Sequence, residues 1–154
     1  MNYMNYFTIL SIQTLKLRIW DKMKKEIAKK WVKALRGGKY KQGKGYLKQF
    51  TSKNEPRHCC LGVLCELYDQ QMKKNHKKTL HSEHMVSIED VEFIRFNKHD
   101  GGLPRVVREW ADITNPLAEF EIDDARSECL ADLNDYGKKF STIADIIEKN
   151  VEKL

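Results

Sequence analysis

The chain has 154 residues, 41% of them hydrophobic and 32% charged, with a formal net charge of +6; that is the size and balance of one soluble domain able to bury a single core. Three prolines and the lack of any biased tract exclude a long disordered linker or a fibrous repeat. Cys59, Cys60, Cys65 and Cys129, with no export signal ahead of them, exclude a disulfide-built scaffold and read as reduced thiols of a cytoplasmic protein.

Charge is divided along the chain. Met1–Asn54 carries fourteen Lys and Arg against Asp21 and Glu26, whereas Glu109–Glu148 carries eleven acids against Arg126, Lys138 and Lys139. The division suits an anionic partner at the first part and favours a homo-oligomer, and it equally fits two solvated faces that neutralise each other on packing.

In chain order, Met1–Lys22 is an N-terminal extension or a docking helix. Its run "YFTILSIQTLKLRIW" is interrupted by Lys16 and Arg18 and lacks a basic leader, so it reads as neither signal peptide nor membrane span. Residues 23–154 form one globular domain. Ile27, Trp31, Ala34 and Leu35 fall on one face of a helix over about Lys24–Arg36, stopped by Gly37-Gly38. The loop "GGKYKQGKGYLKQF" follows, anchored by Tyr40, Tyr46, Leu47 and Phe50.

"RHCCLGVLCELYDQQM" resumes helical spacing, with Cys60, Leu61, Leu64, Cys65 and Tyr68 as its stripe. Met85–Ile88 and Val91–Phe96 pattern as a small hairpin. "LPRVVREWADI" is a short helix with Pro104 at its first position and Val106, Val107 and Trp110 inward. "LAEFEID" alternates like an edge strand, "ARSECLADLND" reads as helix, and Ser141 caps a last helix with Ile143, Ile146, Ile147 and Val151 toward the core. The fold class expected is mainly α, a single compact domain of about five helices with a small β-hairpin.

The Gly37–Phe50 stretch is the best place for an anionic ligand. Backbone N–H groups at Gly43 and Gly45 could approach an oxyanion, and Lys39, Lys41 and Lys44 would strengthen each bond, while Tyr40 and Tyr46 offer faces for a base. The spacing fails the P-loop pattern, and a structural turn is the competing account. His58, Cys59, Cys60 and Cys65 have the wrong spacing for paired zinc ligands, since adjacent cysteines diverge on a helix. No group of residues assembles nucleophile, base and oxyanion donors, so no catalytic residue, metal site or cofactor is assigned.

The motifs "WVKALRGGKYKQGKGYL", "HCCLGVLCELY", "LPRVVREWADI" and "CLADLNDYGKKFSTIADIIE" together resemble a group of short, mostly uncharacterised phage and prophage proteins, over about Lys24–Glu148. The resemblance implies a phage setting, in the cytoplasm of an infected bacterial host. It further implies counter-defence: a protein that sequesters a phosphate-bearing nucleotide immune signal, an ADP-ribose derivative or a cyclic nucleotide. Ligand-binding residues expected are Lys39, Tyr40, Lys41, Gln42 and Lys44 for phosphate and base, Arg57 as a clamp and Trp110 as a wall. The alternatives are a nucleic-acid-binding protein, or an enzyme that cleaves such a signal. No membrane partner is expected.

Overall fold

In the computed structural model, residues 25–154 are described. The extension or docking-helix reading of Met1–Lys22 lies outside them. Helix α1 (25–36) buries Ile27, Trp31, Val32 and Leu35, and the indole N–H of Trp31 donates to the Cys60 carbonyl at 2.9 Å. Gly38, at φ +72°, lets the chain leave the helix.

Four short strands follow around helix α2 (Cys60–Lys74): β1 (Lys48–Phe50), β2 (Pro56–His58), β3 (Ser82–Val86) and β4 (Glu92–Phe96). They form one antiparallel sheet in the order β2-β1-β4-β3. Its register sets two neighbouring rows. His58, Lys48, Ile94 and His84 lie side by side in one, Arg57, Gln49, Phe93 and Met85 in the next. Because side chains alternate along a strand, these rows occupy opposite faces. The first row faces α2, where Lys48 and His58 meet Glu66; the second is the outer face, where Tyr46 stacks on Phe93 with centroids 4.3 Å apart.

Helix α3 (Arg105–Ala111) leads to a second, two-stranded antiparallel sheet of β5 (Glu119–Asp123) and β6 (Arg126–Cys129). Helices α4 (Leu130–Asp135) and α5 (Phe140–Asn150) and a 3-10 turn (Val151–Lys153) complete the chain. The core joins Ile27, Trp31 and Leu35 of α1 to Leu61, Leu64 and Cys65 of α2 and Ile143, Ala144 and Ile147 of α5.

The mainly α expectation is therefore corrected to α+β: six strands in two sheets accompany the helices. The expected hairpin is β3–β4, and two further strands extend it. Those strands, Lys-Gln-Phe and Pro-Arg-His, have little intrinsic β preference and exist because β4 and the loop supply partners. "ARSECLADLND" is not one helix, since Arg126–Cys129 pairs with β5 and α4 begins only at Leu130. Val106 points outward while Val107 is buried. Ser141 is not the cap of α5, whose N-cap residue is Lys139.

Candidate functional site

The loop from Lys39 to Tyr46 is fixed between Lys41 and Gly45 by hydrogen bonds to β2, α4 and the start of α5. It runs beside β2, with the His58 N–H donating to the Lys41 carbonyl at 2.8 Å and the Gly43 N–H to the His58 carbonyl at 2.7 Å. It then crosses the outer sheet face so closely that a Cβ on Gly43 would sit 3.0 Å from the Arg57 Cβ. The Gln42 amide donates to Asn134 Oδ1 (3.0 Å) and to the Lys138 carbonyl (2.7 Å), and its oxygen accepts from the Phe140 N–H (3.2 Å). Gln42 thus supplies the capping acceptor at the start of α5 that Lys139 does not.

Asn134, fully buried, completes the junction. Its Nδ2 donates to the Gly43 carbonyl at 2.9 Å, and its Oδ1 accepts from the Cys60 N–H at 3.2 Å. The Gly45 N–H donates to Asp135 Oδ1 at 3.0 Å. With its amide turned to satisfy both neighbours, Gln49 bonds the N–H and C=O of Lys44 at 3.3 and 3.2 Å. The N–H groups of Gly43, Lys44 and Gly45 are all taken by protein acceptors, one of them a carboxylate. This corrects the expectation of an oxyanion cradle: the glycines serve close packing and, at Gly45, a φ of +77°.

What the loop leaves to solvent is charge. Lys39, Lys41, Lys44, Arg57, Lys138 and Lys139 are all exposed. Among the described residues, none of the six forms an ion pair. Neighbouring contacts place several of them on one face. Arg57 Nη1 lies 3.4 Å from the Gln42 carbonyl, Gln42 bonds the Lys138 carbonyl, and Lys44 Nζ lies 3.4 Å from where a Cβ on Gly137 would be. Beside Gly137 stands Tyr136, 84% exposed. The positive end of the α5 dipole adds to this face, and Asp135 is its acid.

The other expected ligand residues have different duties. Tyr40 is half-buried, its hydroxyl accepting from Gln70 at 2.7 Å and its ring meeting His58 edge-on at 5.2 Å. Gln42 is consumed in the junction. Trp110 packs edge-on against Tyr68, centroids 5.5 Å apart. Tyr68 and Gln70, two residues apart, point to opposite sides of α2, about 200° around its axis. Trp110 and Tyr40 are therefore held on opposite sides of that helix, and Trp110 is no wall of the loop.

Behind the loop, His58 Nε2 lies 3.1 Å and Lys48 Nζ 2.8 Å from Glu66 Oε1. Burial alone would raise the Glu66 carboxyl, yet bonds from His58 and Lys48 outweigh it and hold the group at about 2. Burial lifts the Cys59 thiol to about 11 and those of Cys60 and Cys65 well above the ordinary thiol value. None of these three is poised as a nucleophile. Among the described residues no group of three His, Cys, Asp or Glu is arranged to hold a metal, and no helix is long and apolar enough to cross a membrane.

A concavity of about 720 Å³ lies elsewhere, beside β5, β6 and the C-terminal turn, and is lined by Glu119, Glu121, Asp123, Asp124 and Glu152 with Arg126 and Lys153. Its carboxylates make it unsuited to a phosphate. Asn134, Tyr136 and Gln49 are the residues that sequence reasoning missed. A buried Asn with four bonding positions has no local signature, but "Tyr-Gly" after a helix does mark an exposed, left-handed stop.

Residues 23–151 match the family model described as "Domain of unknown function (DUF8296)", which covers most of the chain. The chain belongs to that family. No curated protein and no solved structure is matched by it.

Proposed function

We propose that this member of the family is a binding protein for a phosphate-bearing partner, taken on the open basic face around the Lys39–Gly45 loop. The observation that carries the reading is a set of exposed cations without an ion-pair partner among the described residues: Lys41 and Lys44 on a loop locked by Gln42 and Asn134, with Arg57 of β2 and Lys138 after α4 beside it. The backbone that carries them is already ordered and so loses little on binding, and each cation can take a phosphate oxygen.

An extended polyanion suits this face better than a single small molecule. Sequestering a nucleotide calls for a concavity that covers most of the ligand, and the concavity of about 720 Å³ beside β5 and β6 is acidic. A nucleic-acid backbone needs only a track of cations. The phage counter-defence setting is supported by the motif resemblance alone. Within that setting, a nucleic-acid ligand and a nucleotide signal differ in a measurable way.

The test is fluorescence anisotropy of a labelled oligonucleotide at low salt, with ADP-ribose and a cyclic dinucleotide as competitors. Binding should weaken steeply as salt rises, with a log–log slope of about −0.7 per phosphate contacted for a single strand. Lys41→Glu/Lys44→Glu should abolish it while the circular dichroism spectrum stays unchanged. Displacement by micromolar nucleotide would shift the reading to sequestration. Equal binding by the double variant would remove the loop from function.

A further inference from the structure

We infer that Tyr136 is a stacking platform for one unpaired base, so that the nucleic acid taken on the basic face is single-stranded; this rests on the reading above and narrows it. Tyr136 stands apart from the other described aromatic residues. Trp31, Phe93, Phe96, Phe120 and Phe140 are buried, and Tyr40, Tyr46, Phe50, Tyr68 and Trp110 are half-buried against protein partners. Tyr136 is 84% exposed, and its hydroxyl bonds no described group.

Its backbone is held firmly. The Tyr136 N–H donates to the Asp132 carbonyl (2.8 Å), the Gly137 N–H to Asn134 (3.1 Å) and the Lys138 N–H to Leu133 (3.0 Å). With Gly137 at φ +93°, this is a Schellman turn that ends α4. The turn is tied to the loop through Asn134 and the Gln42–Lys138 bond. An aromatic ring on a rigid turn loses little order when a base stacks on it, which gives the base–ring contact most of its worth.

The cations are placed to serve the same strand. Lys44 reaches over Gly137, and Lys138 and Lys139 follow Tyr136 in the chain. Phosphates on either side of a stacked base would meet them. A duplex offers its bases already stacked on both faces, so a lone protruding ring can take only an unpaired one.

The experiment measures anisotropy with three labelled probes at one low salt concentration: an oligothymidylate of about twelve nucleotides, the same backbone with abasic sugars, and a duplex of equal length. The proteins are wild type, Tyr136→Ala, Tyr136→Phe and Lys44→Glu/Lys138→Glu. Wild type should prefer oligothymidylate to the abasic strand. Tyr136→Ala should weaken oligothymidylate binding about tenfold and leave abasic binding unchanged, while Tyr136→Phe keeps the wild-type value. Lys44→Glu/Lys138→Glu should weaken all three probes. If Tyr136→Ala binds oligothymidylate like wild type while the charge variant weakens it, the stacking role is overturned and the basic face stands. If no probe binds wild type, the basic face itself fails, and this inference with it.

Discussion

Gln42 and Asn134, 92 positions apart in sequence, meet side chain to side chain at 3.0 Å. Around that bond the loop, the start of α2, the end of α4 and the start of α5 share one hydrogen-bond network. Asn134→Ala would leave the Gly43 carbonyl and the Cys60 N–H without their partner in a buried site. Each such loss costs about 1–3 kcal/mol, so the variant should be about 3 kcal/mol less stable. Urea denaturation followed by circular dichroism gives the number. A loss below about 1 kcal/mol would mean that water replaces Asn134 and that the network is not what fixes the loop.

Gly62 faces the same junction from α2, and a Cβ there would overlap the Leu47 backbone carbonyl. Backbone cannot swing aside as a flexible side chain can. Gly62→Ala should therefore separate α2 from the residue that leads into β1 and cost about 3 kcal/mol or more. Gly101, whose added Cβ would meet only the Gly45 carbonyl at 3.9 Å, is the control. Gly101→Ala should keep the wild-type melting temperature, and a wild-type melting temperature for Gly62→Ala as well would show that the Leu47 backbone yields.

The parts of this fold that could be read from sequence are those that local chemistry dictates. Ile27, Trp31 and Leu35 repeat at helical spacing and are buried as that spacing requires. The β3–β4 hairpin has alternating apolar residues and a turn. In contrast, β1 and β2 are three residues each, and Lys48 becomes part of a strand only when Ile94 and His58 come alongside it, as Arg57 does only beside Gln49. At the candidate site, the lysines of the loop are legible because charge is a property of composition, and they are exposed as charge requires. The duty of Gln42 was hidden, since its partners lie around Asn134 and Lys138, and Trp110 misled because an aromatic residue on a helix says nothing of which side of α2 it will meet.

The half-buried Glu66 makes a pH prediction with a definite sign. Its carboxyl is held at about 2 in the folded state, against 4.5 ordinarily, by His58 and Lys48 in opposition to burial. A lowered carboxyl stabilises the fold above about pH 4.5, and that contribution is lost as pH falls from there toward 2. Glu66→Gln keeps the shape and removes the charge. It should cost about 2 kcal/mol at neutral pH, allowing for the part of the carboxylate left in solvent, and the gap to wild type should close toward pH 2. Urea midpoints of both proteins at pH 7 and about pH 3 decide it. A gap that stays constant across that range would show that Glu66 acts through packing rather than charge.

Four thiols divide by burial into three that should resist modification and one that should not. Cys59, Cys60 and Cys65 are buried, and Cys129 is half-buried at the start of α4. Desolvation lifts the Cys59 thiol to about 11, although its sulfur accepts from the Gly62 N–H and caps α2. At pH 8 its thiolate fraction is then on the order of one in a thousand, and the reagent also has no path to it. Cys129 is raised too, by partial burial, but its sulfur remains reachable. Ellman's reagent should thus titrate one thiol in the native protein, missing from Cys129→Ser, and four in guanidinium chloride. Fast reaction at Cys59 in the native state would contradict the buried helix start on which the loop and Asn134 are built.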